Sequence, residues 1–177
     1  AWQAAPSMNE VRDGLTLLRN GPDFYAIGGW DNQVTDSQDR FFNSIERIVV
    51  QADGTLGTWS TLASTMSTPR KAAAAAIVSG ELYVLGGSSG NTEVVNTSEH
   101  AKIQPDGTLG SFSAGTPMLN PRGGFSAVST VLQPSSGVFL NGYLYAIGGM
   151  TTGGAATGKV ERAAVLYNDA EAQYFIN

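Results

Sequence analysis

Charged residues recur in this chain at fixed places. Three glutamates precede another basic residue or a histidine, as Glu46-Arg47, Glu99-His100 and Glu161-Arg162, and three further arginines, Arg12, Arg70 and Arg122, hold a second recurring place. A repeated carboxylate and a repeated guanidinium can join through charge-assisted hydrogen bonds, within one structural unit or between units. Arginines that ring a common axis would instead bind an anionic ligand. Because these residues recur in every unit, the structural use is the more natural one.

A second group of side chains is confined to one variable stretch: Trp30, Asp31, Asp36, Asp39, Phe41 and Phe42. Rings that stack on apolar ligand faces, beside polar groups that fix orientation, are the composition of a carbohydrate or peptide site. The plainer use of Phe41 and Phe42 is to pack their own loop down. Asp31, Asp36 and Asp39 would offer oxygens to calcium, but their spacing departs from the alternating ligand pattern of calcium loops. His100 is the only histidine and there is no cysteine, so no familiar zinc or copper shell can be assembled around it; it reads as a polar strand residue where the other units have arginine. No nucleophile elbow, phosphate loop or metal motif occurs, and no metal or other cofactor is expected.

The whole-chain balance narrows the partners. With 177 residues the chain suits one domain with a sizeable core. Its formal net charge is -5 and lysines and arginines are not clustered, which argues against nucleic acid and anionic membrane surfaces. The longest strictly apolar run, Ala72 to Val78, is far too short to cross a bilayer, so no membrane insertion is expected. Charged residues make up 14%, below the usual quarter, and such a mild surface leans towards an extracellular or cell-surface location. Asn96-Thr97-Ser98 is a glycosylation sequon, meaningful only in a eukaryotic secretory setting. The start at Ala1 and the lack of a visible signal peptide suggest a processed or excised piece.

The elements that carry these residues follow from a phrase written three times: Phe24-Tyr25-Ala26-Ile27-Gly28-Gly29, Leu82-Tyr83-Val84-Leu85-Gly86-Gly87 and Leu144-Tyr145-Ala146-Ile147-Gly148-Gly149. Self-similarity at a period near 50 residues means a modular array. The first two copies lie 58 positions apart (70 minus 12, taken at the arginines), and Met8 and Met66 keep that offset. Arg122 stands 27 residues before Gly149, where the corresponding distance is 17 in the other copies. The third unit therefore carries about ten extra residues, placed within Gly123 to Val138. A second anchor, Asp53-Gly54-Thr55-Leu56-Gly57, recurs as Asp106-Gly107-Thr108-Leu109-Gly110, followed by Trp59 and Phe112.

Each unit then reads as four short strands. Strand a is rich in small residues (Ala72 to Val78), strand b is the tyrosine phrase, strand c is Ile45 to Gln51 or its counterparts Ser98 to Gln104 and Val160 to Leu166, and strand d carries the aromatic. Ser79-Gly80 and Asn141-Gly142 are expected as the a-to-b turns, since both positions of Asn-Gly tolerate positive φ. Gly28-Gly29, Gly86-Gly87 and Gly148-Gly149 end strand b where a side chain would obstruct the turn.

The run of Pro69-Arg70, an alanine-rich strand, Leu-Tyr-Val-Leu-Gly-Gly, a turn and Trp59 resembles the kelch repeat, and more closely bacterial-type arrays with Asp-Gly-Thr-Leu-Gly-x-Trp turns. The resemblance covers nearly the whole chain. It implies an all-β, kelch-type β-propeller built of four-stranded blades. The blades would be about 8–60, 66–113 and 118–176, with residues 1–7 as strand d of a preceding blade. Three blades do not close a ring, so either the chain is a segment of a longer kelch protein, the preferred reading, or a second copy completes six blades. The expected face for function carries the b-to-c loops (Trp30 to Ser44, Ser88 to Asn96, Met150 to Gly158), joined by the third-unit insertion entering from the d-to-a side. The expected role is a non-catalytic binding or structural module that presents this face to a protein or glycan. The alternative is a carbohydrate-active enzyme of the kelch mutarotase type, with arginine and glutamate near the channel. The copper radical oxidase chemistry also implied by the family is excluded, since paired histidines and a cysteine-linked tyrosine are absent.

Overall fold

The structure is a computed structural model and describes residues 1–31, 33, 40–90, 93–132, 140–168 and 173–176. All its regular elements are strands. In chain order they are β1 (Thr16–Asn20), β2 (Asp23–Ile27), β3 (Trp30–Asp31), β4 (Arg40–Phe41), β5 (Ile45–Val49), β6 (Ser60–Thr61), β7 (Ala74–Val78), β8 (Glu81–Leu85), β9 (Ser98–Lys102), β10 (Ser113–Gly115), β11 (Ser126–Val131), β12 (Leu140–Ile147), β13 (Val160–Asn168) and β14 (Gln173–Ile176). They form three four-stranded antiparallel sheets, β1-β2-β5-β6, β7-β8-β9-β10 and β11-β12-β13-β14, and a two-stranded hairpin, β3-β4. Each large sheet is a meander, as the four-strand reading of each unit requires. Among the described residues no helix is long and apolar enough to cross a membrane.

The core lies between the sheets. Tyr25, Ile27 and Ile45 of the first sheet meet Ala75, Leu82 and Val84 of the second, with Met66 between them. Ala74, Ala76, Tyr83 and Leu85 of the second sheet meet Phe125, Leu144, Ala146 and Val165 of the third. Small residues in β7 let both neighbours approach, because a side chain longer than methyl at Ala74, Ala75 or Ala76 would have to displace close-packed atoms.

Main-chain hydrogen bonds stitch the sheets together. The N–H of Gly29 donates to the carbonyl of Arg70 (2.7 Å), and that of Gly87 to Arg122 (2.9 Å). Glycine is required here: φ is +62° at Gly28 and +56° at Gly86, and a Cβ at these positions would stand 2.4 Å from the Arg70 carbonyl oxygen and 2.6 Å from that of Arg122. A second stitch runs from the N–H of Ala72 to Gly14 (2.7 Å) and from Gly124 to Ala72 (2.8 Å). All three of these residues are left-handed, at +59°, +51° and +60° for Gly14, Ala72 and Gly124.

Two expectations are corrected. Asn141-Gly142 is not a turn but part of the eight-residue β12, where the register shifts between Leu140 and Gly142. Gly142 faces Val131 of β11, and a Cβ on it would run into the carbonyl of Thr130. The third-unit insertion accordingly lengthens β11 and β12 and the connection between them. Arg122 stands four residues before β11, as Arg70 does before β7, so the extra length enters between strands a and b, at the end opposite the b-to-c loops. Residues 1–7 pair with no described strand of this chain; Trp2 is fully exposed, and the Pro6 carbonyl accepts from the indole N–H of Trp59 at 3.1 Å.

Candidate functional site

The repeated arginines and glutamates meet inside each sheet. Arg12, Arg70 and Arg122 are buried. Arg12 donates Nε to Glu46 (3.0 Å), Nη1 to the Gly28 carbonyl (2.8 Å) and Nη2 to the Ser44 hydroxyl (2.7 Å). Arg70 donates Nη1 to the Gly86 carbonyl (2.8 Å) and Nη2 to Thr97 Oγ1 (2.9 Å) and Glu99 (3.0 Å). Arg122 repeats the pattern with Gly148, Lys159 and Glu161. The glutamates also accept from the chain that leads into their own arginine: Glu46 from the Asn9 N–H (2.7 Å), Glu99 from the Ser67 N–H (2.6 Å) and Glu161 from the Leu119 N–H (2.7 Å). Each clasp thus folds the entry segment onto strand c. Among the described residues, Nε of Arg70 and of Arg122 has no hydrogen-bond partner.

Burial alone would push the Glu99 carboxyl up, but the N–H and hydroxyl of Ser67 and the Arg70 guanidinium outweigh it and hold the group below the usual carboxylate range. Glu161 behaves likewise: burial is outweighed by the Asn120 amide, the Leu119 N–H and Arg122. Buried, paired ions of this kind organise a fold, and removing one partner strands the other.

The residues next to the glutamates serve a second repeated pairing. Arg47 meets Asp23 at 2.7 Å, His100 Nδ1 meets Glu81 at 2.5 Å, and the Arg162 guanidinium lies 4.7 Å from the Tyr143 ring centroid. The His100 ring also stacks on Tyr83, with centroids 5.2 Å apart. Among the described residues no group of three potential metal ligands occurs.

The loop end gathers a different chemistry. Trp30 and Phe41 face each other across the β3-β4 hairpin, with ring centroids 6.0 Å apart, and both are partly exposed. The Lys71 ammonium, from the entry to the second sheet, sits 3.7 Å from the Trp30 ring centroid and 5.1 Å from that of Phe41. Lys71 also lines an apolar cleft of about 440 Å³ with Ser88, Val94, Gly123 and Met150, between the loop ends of the second and third sheets. Asp31, paired with Arg40 in the hairpin register, lies at the edge of this surface. Phe42 does not share it: the side chain is buried, with the Arg12 and Arg40 guanidinium groups 4.4 and 5.0 Å from its centroid. Asp36 and Asp39 lie outside the described residues.

Lys71 and Met150 have no place in the residue set read from the sequence. The place after the repeated arginine holds Asp13, Lys71 and Gly123, and the place after Gly-Gly holds Trp30, Ser88 and Met150. Variation at two otherwise registered places was the available signal.

No family model and no curated protein matches the sequence. Among solved structures, the chain is similar to that of YjhT, with a TM-score of 0.65 and 15% identity over 98% of this chain and 48% of that one. The chain thus spans about half the length of that structure. At this identity the likeness concerns the fold, and it fits a propeller made of small antiparallel sheets.

Proposed function

We propose that the chain is an arc of a kelch-type propeller acting as a non-catalytic binding module, whose loop end takes a protein or glycan partner. The observation that carries this reading is the cluster of Trp30, Phe41 and Lys71 beside an open apolar cleft. Partly exposed rings held by a cation from the neighbouring sheet offer a preformed stacking surface, which costs little ordering on binding. The recurring Arg12–Glu46, Arg70–Glu99 and Arg122–Glu161 pairs support it from the other side. A mutarotase-type site would draw on them, yet they lie buried and bonded to their own sheets.

A panel of glycans and peptides screened by fluorescence titration tests the reading. Trp30→Ala and Phe41→Ala are expected to weaken a ligand of the native protein at least ~10-fold, as truncation of a central aromatic does, with the melting temperature nearly unchanged. A ligand that binds both variants as tightly as the native protein sinks the proposal, and accelerated interconversion of sugar anomers would favour the enzyme instead.

A further inference from the structure

We infer that the outer face of the third sheet is a docking surface for the first sheet of a second copy of this chain, so that two chains join head to tail. The two seams inside the chain define what such a face needs. At each seam a Gly-Gly pair gives one N–H to the carbonyl of the next arginine, and the left-handed residue two places after that arginine gives its N–H back. The third sheet keeps its half of this chemistry. Gly148 and Gly149 hold φ of +70° and +96°. Around a Cβ built on Gly148, however, the nearest atom is the Thr157 carbonyl oxygen at 3.6 Å, where the two equivalent glycines meet an arginine carbonyl at 2.4 and 2.6 Å. Among the described residues the Gly149 N–H and the Gly124 carbonyl have no main-chain partner.

The side chains on this face tell the same story. Ile147 is 42% exposed, where its equivalents Ile27 and Leu85 are 2% and 4%, and Val160 is 60% exposed, where Ile45 is 0%. Val128, in the place of the buried Ala76, is exposed too. Apolar side chains grouped on one face mark an interaction surface.

The complement is present on the same chain. Among the described residues the Arg12 carbonyl and the Gly14 N–H have no main-chain partner. Arg12 is already clasped to Glu46, through Nε where Arg70 and Arg122 use Nη2, and like them it donates Nη1 to the carbonyl of the first glycine of its own sheet's pair. Met8 holds the place of Met66 and Met118, whose methyl groups cover Gly28 and Gly86. Leu17, 57% exposed, holds the place of Ala75, which is 5% exposed inside the first seam. A second copy would thus bring the Arg12 carbonyl to the Gly149 N–H, the Gly14 N–H to the Gly124 carbonyl, and Met8 over Gly148. Length agrees, since nearly all of this chain matches about half of the YjhT chain. Unlike ends that join head to tail form a closed ring when the rotation closes, and with two copies both ends are satisfied.

Light scattering and native mass spectrometry of the purified protein test the inference, and one substitution makes it specific. The expected particle weighs twice the 18.5 kDa chain. Gly148→Ala has room within one chain but would place a methyl against the incoming Arg12 carbonyl, so its dimer dissociation constant should rise at least ~100-fold while circular dichroism still reports a folded β protein. Gly21→Ala is the control: φ is +57° there, nothing lies within 4 Å, and the dimer should persist. A native protein that is monomeric at micromolar concentration overturns the inference. So does a dimer indifferent to both Gly148→Ala and Leu17→Asp, and so does isolation as one longer polypeptide with its own further sheets. Loss of the dimer would leave the Trp30 titration free to be measured on the folded monomer.

Discussion

The second and third sheets carry nearly the same phrase in nearly the same register, yet they live in different surroundings. In β8, Leu82-Tyr83-Val84-Leu85 is buried along its whole length; in β12 the matching Leu144-Tyr145-Ala146-Ile147 alternates and ends exposed. β7 is buried at four of its five residues, and β11 at none of its six. The first three strands of the two sheets pair equivalent residues, so the difference there comes from neighbours: the second sheet has one on each side and the third has one. Burial in this fold belongs to the seam. In such an array, stability is close to a sum of unit and nearest-neighbour terms, and the comparison can be broken at either term.

The largest effect is expected inside the flanked sheet. Glu99→Gln leaves the buried Arg70 without its counter-charge and should cost about 3–5 kcal/mol in denaturant unfolding. The same change at Glu161, whose side chain is more exposed than that of Glu99, should cost less. Equal costs would mean that the clasp is independent of its neighbours. Both carboxyls are held below their ordinary value of 4.5. Their stabilisation is therefore present above that pH and is lost as pH falls through the lowered folded-state values; an acid titration of Tm should show this limb, shortened in each variant.

Next comes the glycine pair. Gly86→Ala forces a methyl within 2.6 Å of the Arg122 carbonyl oxygen and within 2.8 Å of the Met118 methyl, and should destabilise by about 2–4 kcal/mol through overpacking and positive φ. Gly148→Ala meets no such neighbour and should cost about 1 kcal/mol in a dissociated chain. Thermal melts at high dilution measure the gap between them, and the absence of a gap would contradict the main-chain stitch.

The smallest effect is at Tyr25, whose hydroxyl donates across the first seam to the Gly107 carbonyl at 2.8 Å. Tyr25→Phe should cost about 1 kcal/mol. Burial first, and Asp23 next, push the phenol up to about 12. A raised folded-state value means that stabilisation is complete below pH 10 and is lost as pH rises from there through about 12. The Phe variant should lose that alkaline limb in a Tm-against-pH series.

The repeated phrase and its two glycines were enough to expect three four-stranded units, because period-two strands ended by residues that accept positive φ are local features. Arg12, Arg70 and Arg122 could be aligned with Glu46, Glu99 and Glu161, but recurrence gives places and no directions, so pairing within one sheet had to be seen. Asn141-Gly142 misled because its turn preference was weaker than the pull of an eight-residue strand paired on both sides. Counting residues detected the third-unit insertion without locating it between strands a and b. Lys71 was silent in the sequence since its value comes from Trp30, a residue it meets only when two sheets come together. Phe42, by contrast, looked like a partner of Phe41, but adjacent residues in an extended chain point to opposite sides.

The stitch at Gly29 and Gly87 joins a main-chain N–H to a main-chain carbonyl. At that bond, a sheet that grips its neighbour by the backbone is blind to the neighbour's sequence. Units held in this way can be duplicated, deleted or exchanged during evolution without re-fitting the joint, and the loops they carry are free to diverge. The same indifference makes the array a ready frame for engineering, in which a sheet with a grafted loop end could be inserted between two others as long as its glycine pair and its arginine were kept.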